Sequence, residues 1–203
     1  MTGQGTLESQ RETRAIPTEL LLAAYRQGIF PMAEPTGEIA WFSPDPRGVL
    51  PLGDFHIPHG LARTLKKGNF EVRINTAFRE VLEGCSDRQE TWIDGRIKRS
   101  YLELHESGHA HSVEAWVGGR LGGGLYGVSL GGVFFGESMF HTVTDASKVA
   151  LVGLVERMRE RGFGLLDLQW VTSHLKTFGA REIPRDTYLR LLREQAGRPC
   201  RFD

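Results

Sequence analysis

The run GLLDLQWV sets Asp167 and Gln169 two residues apart among leucines. Successive strand side chains point to opposite faces, so these two share one face while Leu166, Leu168 and Trp170 take the other. A carboxylate and a carboxamide are costly to bury in apolar surroundings without a purpose. The carboxylate can accept a proton and the carboxamide can orient a nucleophile, so the pair marks a candidate catalytic centre.

Other residues carry chemistry on weaker patterns. Trp41 in WFSPDPRG and Trp92 in TWIDGRIK sit among loop formers and charges. They suit an aromatic platform for a base or sugar, or the packing of a domain interface. Basic residues gather at Arg63, Lys66 and Lys67 and again at Arg96, Lys98 and Arg99. Such clusters are usually solvated faces, but near tryptophans they permit phosphate contacts. Tyr101, Leu125, Phe134, Leu151, Leu154 and Met158 either line an apolar pocket or fill a core.

His105, His109 and His111 form H-x3-H-x-H, which on spacing alone could ligate a metal. No carboxylate or cysteine completes the set, and Gly108 interrupts the helix, so structural histidines are the preferred reading. Gly122 to Gly127 satisfy G-x-G-x-x-G. A dinucleotide fingerprint must pass from a strand into a helix, whereas these glycines run into another strand. Close strand packing is expected there instead.

The elements that must position these residues follow from periodicity and punctuation. Pro17 and Thr18 open a helix that Gly28 ends. Five prolines between Pro31 and Pro51 suit short strands and turns, and residues 15–53 read as a small N-terminal domain. A helix stopped by Gly68, a strand FEVRIN and a helix capped by Asn75 come next. SYLELHE continues as a helix. HSVEAWV, LYGVSL and VFFGESMF are strands joined by Gly118-Gly119 and Gly131-Gly132, a strong hairpin signal. Asp145 is expected to cap an amphipathic helix, SHLKTFGA forms a short helix, and Pro184 opens the last one. The fold class is α+β.

The chain has 203 residues, 40% hydrophobic and 25% charged, with zero formal net charge. That is the composition of a globular protein, and no window approaches the roughly 18 apolar residues of a membrane span. Any polyanion must therefore meet a local patch. Residues 1–14 read as a disordered tail without the apolar segment of a signal peptide. Two cysteines, Cys85 and Cys200, fit a reducing, cytoplasmic compartment.

The segments WFSPDPRGVLPL, TWIDGRIKRSYLELHESGHAHSVE, GGGLYGVSLGGVFFGESMF, DASKVAL and LLDLQWVTSHLKTFGAREIPR resemble, in order, the bacterial leucyl/phenylalanyl-tRNA–protein transferases. The resemblance covers roughly residues 17–195. It implies a GNAT-like acyltransferase domain over residues 54–203 behind a small N-terminal α/β domain. It implies transfer of leucyl or phenylalanyl, less readily methionyl, from aminoacyl-tRNA to the α-amine of proteins beginning with Arg or Lys. The product would be read by N-end rule degradation.

By position, the resemblance places Asp167 and Gln169 on a catalytic D-x-Q pair. It places Trp41, Trp92 and Glu137 at the terminal adenosine, and Tyr101, Leu125, Phe134, Leu151, Leu154 and Met158 in the side-chain pocket. The basic residues above would meet tRNA phosphates. Asp167 is expected to bond the Gln169 carboxamide, whose carbonyl oxygen orients the attacking amine. Asp167 or a tRNA hydroxyl are the other proton acceptors considered.

No cofactor or metal is expected. A CoA enzyme of GNAT type should show R/Q-x-x-G-x-G/A before its cofactor helix, and FHTVTDASKVA has no glycine. The competing readings are an acyltransferase with another donor or acceptor, and a tRNA-binding module without catalysis.

Overall fold

The computed structural model describes residues 14–203, so the expected tail at residues 1–14 lies outside it except for Arg14. The architecture is mixed α+β. Helix α1 (Thr18–Arg26) leads to a two-stranded antiparallel ribbon, β1 (Phe30–Ala33) with β2 (Ile39–Phe42). Gly28, at φ +72°, ends α1 where a side chain would strike the Tyr188 ring.

Seven strands form the main sheet: β3 (Arg47–Leu50), β4 (Glu71–Ile74), β5 (Ala110–Val117), β6 (Arg120–Leu130), β7 (Val133–His141), β8 (Leu165–Gln169) and β9 (Arg181–Ile183). Their order is β4-β5-β6-β7-β8-β3-β9, and β7 with β8 is the parallel pair. The helices are α2 (His59–Lys66), α3 (Phe78–Ser86), α4 (Gly95–Glu106), α5 (Ala146–Glu160), α6 (Ser173–Lys176) and α7 (Arg185–Ala196). A division after residue 53 would cut β3 from a sheet in which both its neighbours bond it.

Strand alternation builds two cores. Tyr126, Val128, Phe135 and Leu165 pack with Tyr25, Val81, Ile97 and Tyr188 on one side. Leu125, Phe134 and Leu166 pack with α5 through Leu151, Leu154 and Met158 on the other. Each fully buried side chain of this kind contributes about 1.5–3 kcal/mol. The hairpin glycines behave as expected, with Gly118, Gly119 and Gly131 all at positive φ.

Two expected caps are not caps. Asn75 has φ 58° and bonds the main-chain amide of Ser112. The start of α3 is served instead by the buried carboxylate of Glu114, which accepts from the amides of Thr76 and Ala77. Asp145 has φ 69° and makes no cap bond, because its carboxylate is taken by Thr64 and Lys148. Helix α4 begins five residues before Ser100, where Asp94 caps it through the amides of Arg96 and Ile97. The G-x-G-x-x-G glycines lie within β6, and a Cβ on Gly127 would sit 2.1 Å from the Phe135 carbonyl.

Candidate active site

Parallel pairing of β7 with β8 covers Val133–Phe135 against Leu165–Asp167. Beyond it the strands diverge, and a cavity of about 290 Å³ opens between Gly136–Met139 on one side and Leu168–Trp170 on the other. Both strands are bulged here. Tyr126 faces Ser138 and Gly127 faces Gly136, which leaves Glu137 as an extra residue. Gly48 faces Gln169 and Val49 faces Asp167, which leaves Leu168 extra. A bulge re-aims side chains, and each of these does so at the cavity wall.

Glu137 lies at the centre of a hydrogen-bonded group. Tyr25 donates to its Oε1 at 2.8 Å and Tyr101 to its Oε2 at 3.1 Å. The Gln169 carboxamide nitrogen also donates to Oε1, at 3.2 Å. Burial pushes the Glu137 carboxyl up to about 7; the two tyrosine bonds oppose this, Asp167 adds to it and Arg47 opposes it. Burial also raises Tyr25 and Tyr101, reinforced by Glu137, so both remain donors.

Asp167 is fully buried and does not border the cavity. Val49 is its register partner, and Arg47, two residues earlier, shares that face. The Arg47 Nε and Nη2 donate to the two Asp167 oxygens at 2.9 and 2.6 Å, while Tyr188 and the Gln169 main-chain amide donate at 2.7 and 2.9 Å. The expected bond from Asp167 to the Gln169 carboxamide is absent, because the carboxamide meets Glu137. Gln169 sits at φ 57°, so strict alternation ends at Asp167 and Leu168, Gln169 and Trp170 all reach the cavity.

Among the expected pocket residues, Leu125, Leu151 and Leu154 line the cavity, joined by Met139, Leu166 and Leu175. Phe134 and Met158 do not: both are fully buried in the core, Phe134 against Phe202 at 4.9 Å. Tyr101 reaches Glu137 rather than the cavity wall. Trp92 lines the mouth and Trp41 does not. In the β1–β2 ribbon Phe30 opposes Phe42 and Met32 opposes Ala40, which puts Phe30 and Met32 on the cavity face and Trp41, opposite Pro31, on the other. Trp170, 47% exposed and edge-on to Phe30 at 5.3 Å, stands at the mouth instead.

The basic residues separate similarly. Arg63, Lys66 and Lys67 are exposed around the end of α2, and Arg99 is exposed on α4 beside the half-buried Lys98. Arg96 is held by Asp94 at 2.7 Å and by the Gly37 carbonyl, so it is committed within the fold. Two of the three histidines are also committed: His105 stacks on Phe78 at 4.1 Å, and His111 is bonded between Asn75 and Ser129.

Arg47, Tyr25, Tyr188, Arg88, Met32 and Trp170 were not singled out in the sequence. For Arg47 one signal was available, an arginine opening the apolar strand RGVL, where only a buried partner makes its charge tolerable.

The family model for leucyl/phenylalanyl-tRNA protein transferase matches residues 49–193, and that for its N-terminal domain matches residues 14–45. Similar curated proteins carry the same family name. One from Akkermansia muciniphila is 57% identical over 86% of this chain and 93% of its own length. One from Herpetosiphon aurantiacus is 54% identical over 89% and 94%. Solved structures are more distant. A conserved protein from Bacteroides thetaiotaomicron aligns with TM-score 0.47 at 12% identity over 76% of this chain and 56% of that one. A GCN5-related N-acetyltransferase-like protein from Streptococcus suis aligns with TM-score 0.38 at 15% identity over 82% and 64%.

Proposed function

Because the chain belongs to the leucyl/phenylalanyl-tRNA–protein transferase family, we propose that it moves leucyl or phenylalanyl, and less readily methionyl, from aminoacyl-tRNA to the α-amine of proteins beginning with Arg or Lys. The observation that carries this reading to particular residues is the wedge between β7 and β8, apolar in its depth and polar at Glu137 and Gln169. Such a product would suit recognition by N-end rule degradation in the cytoplasm. No helix of the described residues is long and apolar enough to cross a membrane.

An aminoacyl ester is already activated, so the protein must chiefly hold an amine against its carbonyl and manage one proton. Positioning alone contributes about 7–11 kcal/mol to such a step. On this reading the leucyl or phenylalanyl side chain fills the space between Leu125, Leu151, Leu154 and Leu166, and the terminal adenosine rests against Trp92 and Met32. The Gln169 carbonyl oxygen, whose amide end is taken by Glu137, accepts a hydrogen bond from the incoming amine. As the C–N bond forms and the ester C–O bond breaks, Glu137 takes a proton from the amine and hands it on to the ribose oxygen, which leaves as a hydroxyl. A group titrating at about 7 suits this exchange. Asp167 is a positioning residue, since it is fully buried and does not border the cavity.

One incubation tests the reading: leucyl-tRNA with a peptide beginning with Arg, followed by peptide mass, with ribonuclease and a Gly-starting peptide as controls. Transfer to the Arg peptide that ribonuclease abolishes is expected. Transfer that survives ribonuclease, or none at all, defeats it.

A further inference from the structure

Tyr126 on β6 is fully buried and borders the wedge, and its hydroxyl has no hydrogen-bond partner among the described residues. A buried hydroxyl left so is costly unless something in the cavity meets it. The β6–β7 bulge sets its surroundings: Tyr126 faces Ser138 and Gly127 faces Gly136, so the extra residue Glu137 lies beside it across the ladder. Glu137 accordingly reaches Tyr25 and Tyr101 in the core that also holds Tyr126, whose ring stands edge-on to Tyr101 at 5.3 Å.

Glu137 has the complementary shortage. Tyr25, Tyr101 and Glu137 make three mutual contacts, for which the two hydroxyls bring two protons. A protonated carboxyl supplies the third. Once Glu137 ionises, one contact has no proton to share, while Oε2, with Tyr101 as its one donor among the described residues, still has acceptor capacity. The geometry points to a single water molecule bound at the inner wall of the wedge, accepting from Tyr126 and donating to Glu137 Oε2, so that Tyr126 is a third tyrosine stabilising the ionised carboxylate. The cavity of about 290 Å³ has room for a water, which occupies about 30 Å³. Ser138 lines the same wall and offers a third partner, the number that buried waters typically have. Tyr25 from α1, Arg47 from β3, Tyr101 from α4 and Asp167 from β8 face Glu137, while Cys85 in α3 and Arg88 beyond it face Tyr126. Burial, reinforced by Tyr101 and Glu137, holds Tyr126 well above the usual tyrosine value, so it stays a neutral donor and its replacement by phenylalanine changes no charge.

Tyr126→Phe removes the hydroxyl alone. The Glu137 carboxyl resonance, in protein isotope-labelled on its glutamates and assigned by comparison with Glu137→Gln, follows the titration directly. In Tyr126→Phe its midpoint should rise by about one pH unit, a tenfold change in proton affinity, because the ionised form loses a donor. The melting temperature of the variant should lie below wild type at about pH 8, and the gap should narrow toward about pH 5, where the carboxyl is protonated. A midpoint that stays at the wild-type value in the folded variant, or a variant that melts above wild type at every pH, as loss of a hydroxyl without a partner would give, overturns the inference. Should the variant not fold, wild-type crystals grown near pH 8 (roughly one unit above the Glu137 value) decide it. Density for a water within hydrogen-bond distance of both Tyr126 Oη and Glu137 Oε2 is expected there, and its absence overturns the inference. None of these readouts needs transfer from leucyl-tRNA, so this inference and the functional reading fail separately.

Discussion

The main-chain amide of Gln169 donates to Asp167 Oδ1 at 2.9 Å, while its side-chain amide donates to Glu137 Oε1 at 3.2 Å. One residue therefore links a buried ion pair to a carboxyl on the cavity wall. Asp167 orders the backbone that presents Gln169, and Glu137 orders its carboxamide.

Asp167 should accordingly act through structure. Asp167→Ala leaves Arg47 buried and unpaired, which costs about 3–5 kcal/mol. The expected result is a large fall in melting temperature together with slower transfer, and a pH–rate profile that keeps its limb but moves it to lower pH, because Asp167 helps to raise Glu137. A folded variant whose profile has no limb at any pH would instead make Asp167 the proton acceptor.

Glu137 should set that limb. Its raised value of about 7 means the folded protein binds a proton that the unfolded chain, at the usual carboxyl value of 4.5, has released. Stability from this group is thus complete below about 4.5 and is lost as pH rises through about 7. Glu137→Gln should remove that decline, as melting temperatures measured between pH 5 and 8 would show against wild type (roughly the titration range of the group). A parallel decline in both proteins contradicts the assignment.

The side-chain pocket makes a selective prediction. Leu154→Phe should disfavour phenylalanyl relative to leucyl transfer by about 10- to 200-fold, because it fills space on the wall. Met158→Leu, in the core beyond the wall, should leave that ratio near wild type. Competition between the two charged tRNAs measures both.

Much of this arrangement was legible in the sequence, and the remainder was hidden for identifiable reasons. The paired glycines announced the β5–β6–β7 meander, and period-two alternation placed Asp167 opposite Leu166. Trp41 was drawn to the site by the family resemblance, whereas the register of a four-residue ribbon turns it away. The bulges at Glu137 and Leu168 leave no local pattern, since each depends on its neighbouring strand. Arg47 meets Asp167 across 120 residues of chain, a distance that no window of sequence spans.

Salt response should separate the basic groups. Arg63→Ala and Lys66→Ala should each lower the salt slope of tRNA binding by about 1, as expected for a lost phosphate contact. Arg96→Ala should leave the slope unchanged and lower stability, since its guanidinium holds Asp94 and Gly37.

The most direct measurement is single-turnover transfer from leucyl-tRNA to an Arg-starting peptide, followed from pH 5.5 to 8.5 (a span of about three units around the Glu137 value) for wild type and Glu137→Gln. Wild type should transfer at a rate that rises through pH 7, and the variant should be about 10²- to 10⁴-fold slower with that limb gone. A wild-type protein that makes no product, or a variant that keeps both the rate and the limb, would contradict the account.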